Sequence, residues 1–204
     1  MNKIAAVIFI ILGLGCCAAA AAVFQKQKTA ADSKQQAHSA DAIYLRTSVR
    51  GFTKQKVEPE KLDRLLHAAM EAPSAGNEQP WEFYITENPD IMEKLSHADQ
   101  YASPAANAPM VIVLCYNKNR LQYKDFPMID MAVCAENLMI QAAALNLGTV
   151  FLSIAPLPER MKLVSSVLQL PDTIVPFVII PVGYPSYETK QENRYDSSRI
   201  HTVK

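Results

Sequence analysis

The segment Met128–Leu147 places the tightest limit on how this chain can fold. Met131, Val133, Leu138, Met139, Ile140, Ala143 and Leu145 fall on nearly every side of its helical projection. A surface helix confines its apolar residues to one stripe, whereas a helix apolar all round must be buried all round. The segment is therefore expected at the centre of a domain or in an interface between subunits. Gly148 follows at the position where a left-handed residue ends a helix, so the helix is expected to stop there.

Shorter elements can supply the cover. Pro59–Ala72 reads as a helix, with Pro at its first position and Leu62, Leu65, Leu66, Ala69 and Met70 on one stripe. Trp81, Phe83 and Ile85 alternate with polar neighbours as in a half-buried strand. Asn88-Pro89 has the cap and first-turn chemistry that starts a short helix. Met110–Tyr116 is a continuous apolar run of strand length and reads as a central strand. Val150–Ile154 is another strand, and Pro158–Leu168 another helix. Thr173–Val182 is a strand broken by Pro176 and Pro181, which predicts an edge or a bend. Helix and strand mix without the regular alternation of a doubly wound fold.

The N-terminus is a different object. Ile4 to Phe24 is a run of 21 residues without charge or strongly polar side chain. As a helix it would reach about 30 Å, the thickness of a hydrocarbon core. Residues 1–24 are read as a retained membrane anchor or a cleaved secretory signal. The Ala18–Ala22 run offers small-residue cleavage sites, and Cys16 or Cys17 could take a lipid. Residues 25–42, rich in Gln, Lys, Ala and Ser, read as a solvated linker, and 43–204 as the folded domain. The chain is accordingly expected at a membrane through its N-terminal helix, or exported after cleavage.

The formal net charge of zero is a sum of two halves. Residues 1–40 hold four Lys and one Asp, and residues 41–204 hold 16 Lys or Arg and 19 Asp or Glu. A mildly acidic domain argues against nucleic-acid binding by counterion release. The sequence lacks G-x-G-x-x-G, G-x-x-x-x-G-K-[ST] and G-x-S-x-G, so nucleotide cradles and a hydrolase elbow are absent. Four Cys without C-x-x-C spacing, and four dispersed His, exclude a zinc module. Cys115 and Cys134 read as buried small hydrophobes. Neither a catalytic side chain nor a metal ligand is singled out.

Three segments remain. Arg46-Thr47-Ser48-Val49-Arg50 brings two guanidinium forks and a hydroxyl together if it forms a helical turn, which suits a phosphate; it is otherwise a solvated basic turn. Pro73-Ser74-Ala75-Gly76-Asn77-Glu78-Gln79-Pro80-Trp81 is an irregular loop whose amides and hydroxyls could meet the edge of a flat heteroaromatic ring, or an ordinary turn. Lys190 to Tyr195 is a basic element or a solvated tail.

In this order the segments resemble the motifs of the nitroreductase-like family of FMN-dependent oxidoreductases. Arg46-x-Ser48-x-Arg50-x-Phe52 resembles its R-x-S-x-R-x-F motif, and Pro73-Ser74-x-x-Asn77-x-Gln79-Pro80-Trp81 its P-S-x-x-N-x-Q-P-W motif. Asn146-Leu147-Gly148-Thr149 is similar to its G-L-G-T step, and Gly183-Tyr184-Pro185 with Lys190 and Arg194 to its C-terminal elements. The resemblance covers about residues 43–203. It implies an α+β fold with a mixed, mainly antiparallel sheet flanked by helices, the N-terminal hydrophobic helix lying outside it. It implies a homodimer with FMN at the interface. Arg46, Thr47, Ser48 and Arg50 would hold the phosphate and ribityl chain, with Arg194 and, more weakly, Lys190. Pro73, Ser74 and Asn77 would approach the flavin from the partner chain, and Ser153 would lie beside the ring. The implied activity is electron transfer from NAD(P)H through flavin N5 to a small, aromatic acceptor by a ping-pong mechanism. The rival expectation is a membrane-tethered flavin-binding or scaffold protein without turnover.

Overall fold

A computed structural model describes residues 42–191 and 193–203, within one compact unit, Ala42–Lys204. The run 4–24 and the linker up to residue 41 lie outside the described residues, as do the anchor, signal and lipidation expectations attached to them.

The unit is built from helices α1 (Pro59–Met70), α2 (Pro89–Ser96), α3 (Pro104–Asn107), α4 (Pro127–Ala144) and α5 (Pro158–Leu168), and strands β1 (Trp81–Thr86), β2 (Met110–Asn117), β3 (Gly148–Thr149), β4 (Leu152–Ser153) and β5 (Ile174–Gly183). Every one of these helices starts on Pro, where the missing N–H costs nothing. Asn88 caps α2, its side chain accepting from the backbone of Asp90 at 2.9 Å and Ile91 at 3.3 Å.

The strands form one sheet in the order β1-β2-β5-β3, with β4 also on β5, and all these pairings are antiparallel. A single parallel bridge, Ser48 to Thr149, adds a mixed element at the β3 edge. The architecture is α+β, a mainly antiparallel sheet flanked by helices.

Both faces of β2 are buried, and the alternation of its residues divides the core. Met110, Ile112 and Leu114 face a cluster with Leu65 and Ala69 of α1 and Met131, Leu138 and Met139 of α4. Val111, Val113 and Cys115 face another with Met92 and Leu95 of α2 and Val164 of α5. Covered on both sides, the strand needs no polar positions.

Four expectations change. First, of the edge or bend expected from the two prolines, only the edge is overturned: β5 is an interior strand, and the irregularity is a shift of register. Pro176 falls at the register shift opposite Leu114 and Cys115, and Pro181 falls between the stretches paired with β3 and β4. Proline is tolerated where the ladder is already broken. Second, residues 150–154 do not form one strand; pairing is split between β3 and β4. Third, Gly148 does not end the long helix. Asn146 takes the left-handed conformation at φ 59°. Leu147 N–H then donates to Ala142 at 2.8 Å and Asn146 N–H to Ala143 at 3.1 Å, closing a Schellman motif. Gly148 instead permits a close approach, since a Cβ there would lie 2.7 Å from Val49. Fourth, one chain does not bury α4 all round, because Ile129 stays 58% exposed and Ala132 is exposed as well.

Two substitutions measure these contacts. Leu138→Ala is expected to lower stability by about 2–5 kcal/mol through lost burial and the cavity left behind. Gly148→Ala is expected to cost about 1–3 kcal/mol by forcing Val49 away. Urea unfolding of the purified chain checks both, and a neutral Gly148→Ala would contradict the close approach.

Candidate functional site

The segment after residue 45 is extended rather than helical. Arg46 N–H still closes the turn on Ala42 at 2.9 Å. Val49 N–H then donates to Thr149 at 2.8 Å, and Phe52 bridges Pro185. The helical turn on which the grouping of the two guanidinium forks depends does not form, and the two-residue period of extended chain replaces the i and i+4 spacing. Val49 is buried against Gly148, while Arg46 and Ser48 are half-buried and Arg50 is exposed. The segment is pinned along its length by the C-terminal end of β5, with Thr53 N–H donating to Tyr184 at 2.8 Å and Arg50 N–H to the Tyr187 hydroxyl at 3.0 Å.

Arg46 is the most enclosed of the basic candidates. Its side chain is 17% exposed, and its Nε lies 3.1 Å from Glu136 Oε1 on α4. Pairing through Nε orients the fork from behind. Arg46 and Thr47 stand in the walls of two cavities. The smaller, of about 210 Å³, also touches Val49, Thr149 and Gln191. The larger, of about 560 Å³, brings Arg46 and Thr47 together with Gln191, Arg194 and Tyr195. Arg50 is exposed, and Lys190 is exposed and lines neither cavity.

The loop of residues 73–79 has its own supports. Asp130, in the first turn of α4, accepts from Ala75 N–H at 3.0 Å. Ser74 Oγ accepts from Gln79 N–H at 3.0 Å. Glu78 is buried, and its Oε2 accepts from Gln122 and Tyr123 N–H at 2.6 and 3.2 Å. Pro73 and Asn77 are exposed and Ser74 half-buried. Ser153 is exposed on β4, its carbonyl accepting from Arg160 Nη1 at 2.9 Å; the same nitrogen lies 2.7 Å from Asp99 Oδ2.

The candidates thus fall into three groups within one chain: residues 46–50 with Arg194, residues 73–77, and Ser153. Neither cavity at Arg46 includes a member of the other two groups. Sequence reasoning missed Glu136, Asp130, Glu78 and Arg160. The signal for the first two was present: a carboxylate in an otherwise apolar helix needs a partner.

Cys115 and Cys134 are buried, as expected, and burial pushes both thiols up, Cys134 to about 12. Neither supplies a thiolate. Among the described residues no cluster of three metal-binding side chains occurs. The donors present fit a flavin mononucleotide on chemical grounds. Two guanidinium-bearing residues, Arg46 and Arg194, and three hydroxyl-bearing ones, Tyr44, Thr47 and Tyr195, line the larger cavity, whose volume lies within the roughly 300–1,000 Å³ of small-molecule sites.

Known proteins resemble this chain over its folded unit. The nitroreductase family model matches residues 43–103 and 96–184. A candidate NADH dehydrogenase/NAD(P)H nitroreductase of Archaeoglobus fulgidus is 35% identical over 166 residues, covering 79% of this chain and 95% of the relative. The crystal structure of a candidate NADH oxidase from Clostridium acetobutylicum superposes with a TM-score of 0.78 at 43% identity, over 80% of this chain and 99% of that one. An FMN-dependent nitroreductase from Clostridium difficile gives a TM-score of 0.73 at 26% identity, over 80% and 98% of the two chains.

The expected membrane location is corrected by the same findings. Among the described residues no helix is long and apolar enough to cross a membrane. The family match begins at residue 43, and the relatives are covered almost whole by the folded unit. With no such helix among the described residues and with relatives named as oxidoreductases, the tethered-scaffold reading has no support. The family model spans most of the folded unit and the relatives match it over nearly their whole length, so this chain belongs to the nitroreductase family.

Proposed function

We propose that this chain, an FMN-dependent NAD(P)H oxidoreductase, passes electrons from NAD(P)H to a small, aromatic acceptor in two separate half-reactions, as a homodimer. The observation that carries the reading is the cavity walled by Arg46, Thr47 and Arg194, three donors suited to one phosphate. When bound, FMN would supply the redox centre between NAD(P)H and the acceptor. The chain's own residues bind and orient. Arg46, Thr47, Ser48 and Arg50 hold the phosphate and ribityl chain, Arg194 adds a further contact, and Lys190 lends charge from the tail. Pro73, Ser74 and Asn77 meet the flavin of the partner's site, and Ser153 lies beside the ring. No side chain is required to act as a nucleophile.

The open side of α4 supports the dimer. Phe126 at 44% and Ile129 at 58% exposure leave apolar surface on a helix whose other sides are core. A second copy would cover it and complete a site whose parts lie apart in one chain. The two-step reading follows from a shared binding place: the nicotinamide product leaves before the acceptor enters.

The purified full-length chain should be yellow and release FMN on denaturation. Arg46→Ala with Arg50→Ala removes two charge-assisted contacts worth about 1.5–3 kcal/mol each, so FMN affinity should fall roughly 100-fold or more while riboflavin affinity stays near wild type. Fluorescence titration checks this, with circular dichroism confirming the fold; undiminished FMN binding would refute the phosphate assignment. For turnover, double-reciprocal plots at several acceptor concentrations should run parallel. Intersecting lines would exclude the two-step order.

A further inference from the structure

We propose that Asp130 and Glu78 are positioning residues for the flavin, two carboxylates that hold the 74–79 loop in a shape its own backbone disfavours. The proposal rests on the assignment of that loop to FMN. Gly76, Asn77 and Gln79 have φ of 55°, 56° and 48°. Glycine adopts this region freely and asparagine tolerates it, but glutamine does so at a cost. Such residues persist only where the surroundings over-determine them, and they gather at ligand clamps.

The surroundings here are specific. Asp130 reaches from the buried helix α4 to Ala75 N–H, upstream of the three residues. Glu78, lying between Asn77 and Gln79, reaches out to the N–H groups of Gln122 and Tyr123. The Tyr123 ring in turn packs on Gly76, where a Cβ would collide with it. The loop is thus held from α4 on one side and from the segment before α4 on the other.

Holding it costs stability. Asp130 Oδ2 and Glu78 Oε1 are buried without a partner. Burial first, and then the neighbouring Glu78, push the Asp130 carboxyl above its usual range. A fold that needed only to close this turn would gain by losing the unpaired oxygens. Ionised acceptors grip backbone N–H groups harder than neutral ones, which favours carboxylates where fixed geometry matters more than stability. Ser74 and Asn77, the residues assigned to the flavin, belong to the stretch so held.

The test compares the full chain with Asp130→Ala, Asp130→Asn and Glu78→Ala. Asp130→Ala and Glu78→Ala should each weaken FMN and riboflavin alike, by about tenfold or more, the loss expected for a charge-assisted hydrogen bond. This differs from Arg46→Ala, which should weaken FMN alone. Asp130→Asn keeps an acceptor for Ala75 and should recover most of the affinity. In the flavin-free chain, amide exchange across residues 74–79 should quicken in both alanine variants, while the urea midpoint does not fall. Unchanged exchange or flavin affinity in the alanine variants overturns the proposal. So does a loss confined to FMN, or one that follows a fallen midpoint. A wild-type chain that takes up neither flavin would instead refute the loop's assignment to FMN, a result the exchange measurement tells apart.

Discussion

The structure depends on β2 and β5 being covered on both faces. Where one face of a strand is wet, the apolar alternation fixes its register, because a slip by one residue would expose the core. Here both faces are apolar, so alternation cannot set the register. Two irregular features can: the shift opposite Pro176, and the contact of Gly183 with Pro109, where a Cβ would lie 2.5 Å from the ring. With that register set, the far end of β5 delivers Tyr184 and Pro185 to the segment carrying Arg46, Ser48 and Arg50. The residues that break the ladder are those that aim the candidate site.

The long helix α4 links the two halves of the functional reading. Its apolar sides fill the core cluster, yet it carries two carboxylates, Asp130 buried and Glu136 half exposed. Asp130 braces the 74–79 loop and Glu136 backs Arg46. One rigid rod therefore bears on both proposed contacts, that of Arg46 with this chain's own flavin and that of the loop with the partner's. A displacement of α4 would move the two contacts together.

Most elements could be read from the sequence, because local chemistry settles them. Pro at a first turn, the Asn88 cap and the apolar stripe of α1 need no tertiary partner to be recognised. The motifs at 46–52 and 73–81 were likewise legible as residue types. What could not be read depends on distant partners. The prolines of β5 suggested an edge because the shift that accommodates them lies in its pairing with β2. Gly148 looked like a helix stop because Val49, which needs its small volume, is a hundred residues away in sequence. The Arg46 segment looked helical by spacing, yet its conformation is set by the main chain of Thr149. The partners of Asp130 and Glu136 were invisible for the same reason.

The ion pair between Arg46 and Glu136 bears on the life of the protein before it meets its cofactor. A basic pocket that relied on a phosphate for neutrality would repel itself when empty and scavenge whatever anion was at hand. Arg46 already has a counter-charge, supplied from a helix fixed in the core. A visiting phosphate must therefore share a guanidinium whose charge is already partly met through Nε, so simple anions gain less there, and a ligand gains from bringing further contacts. The built-in carboxylate acts as a threshold, raising the selectivity of the pocket by lowering its appetite.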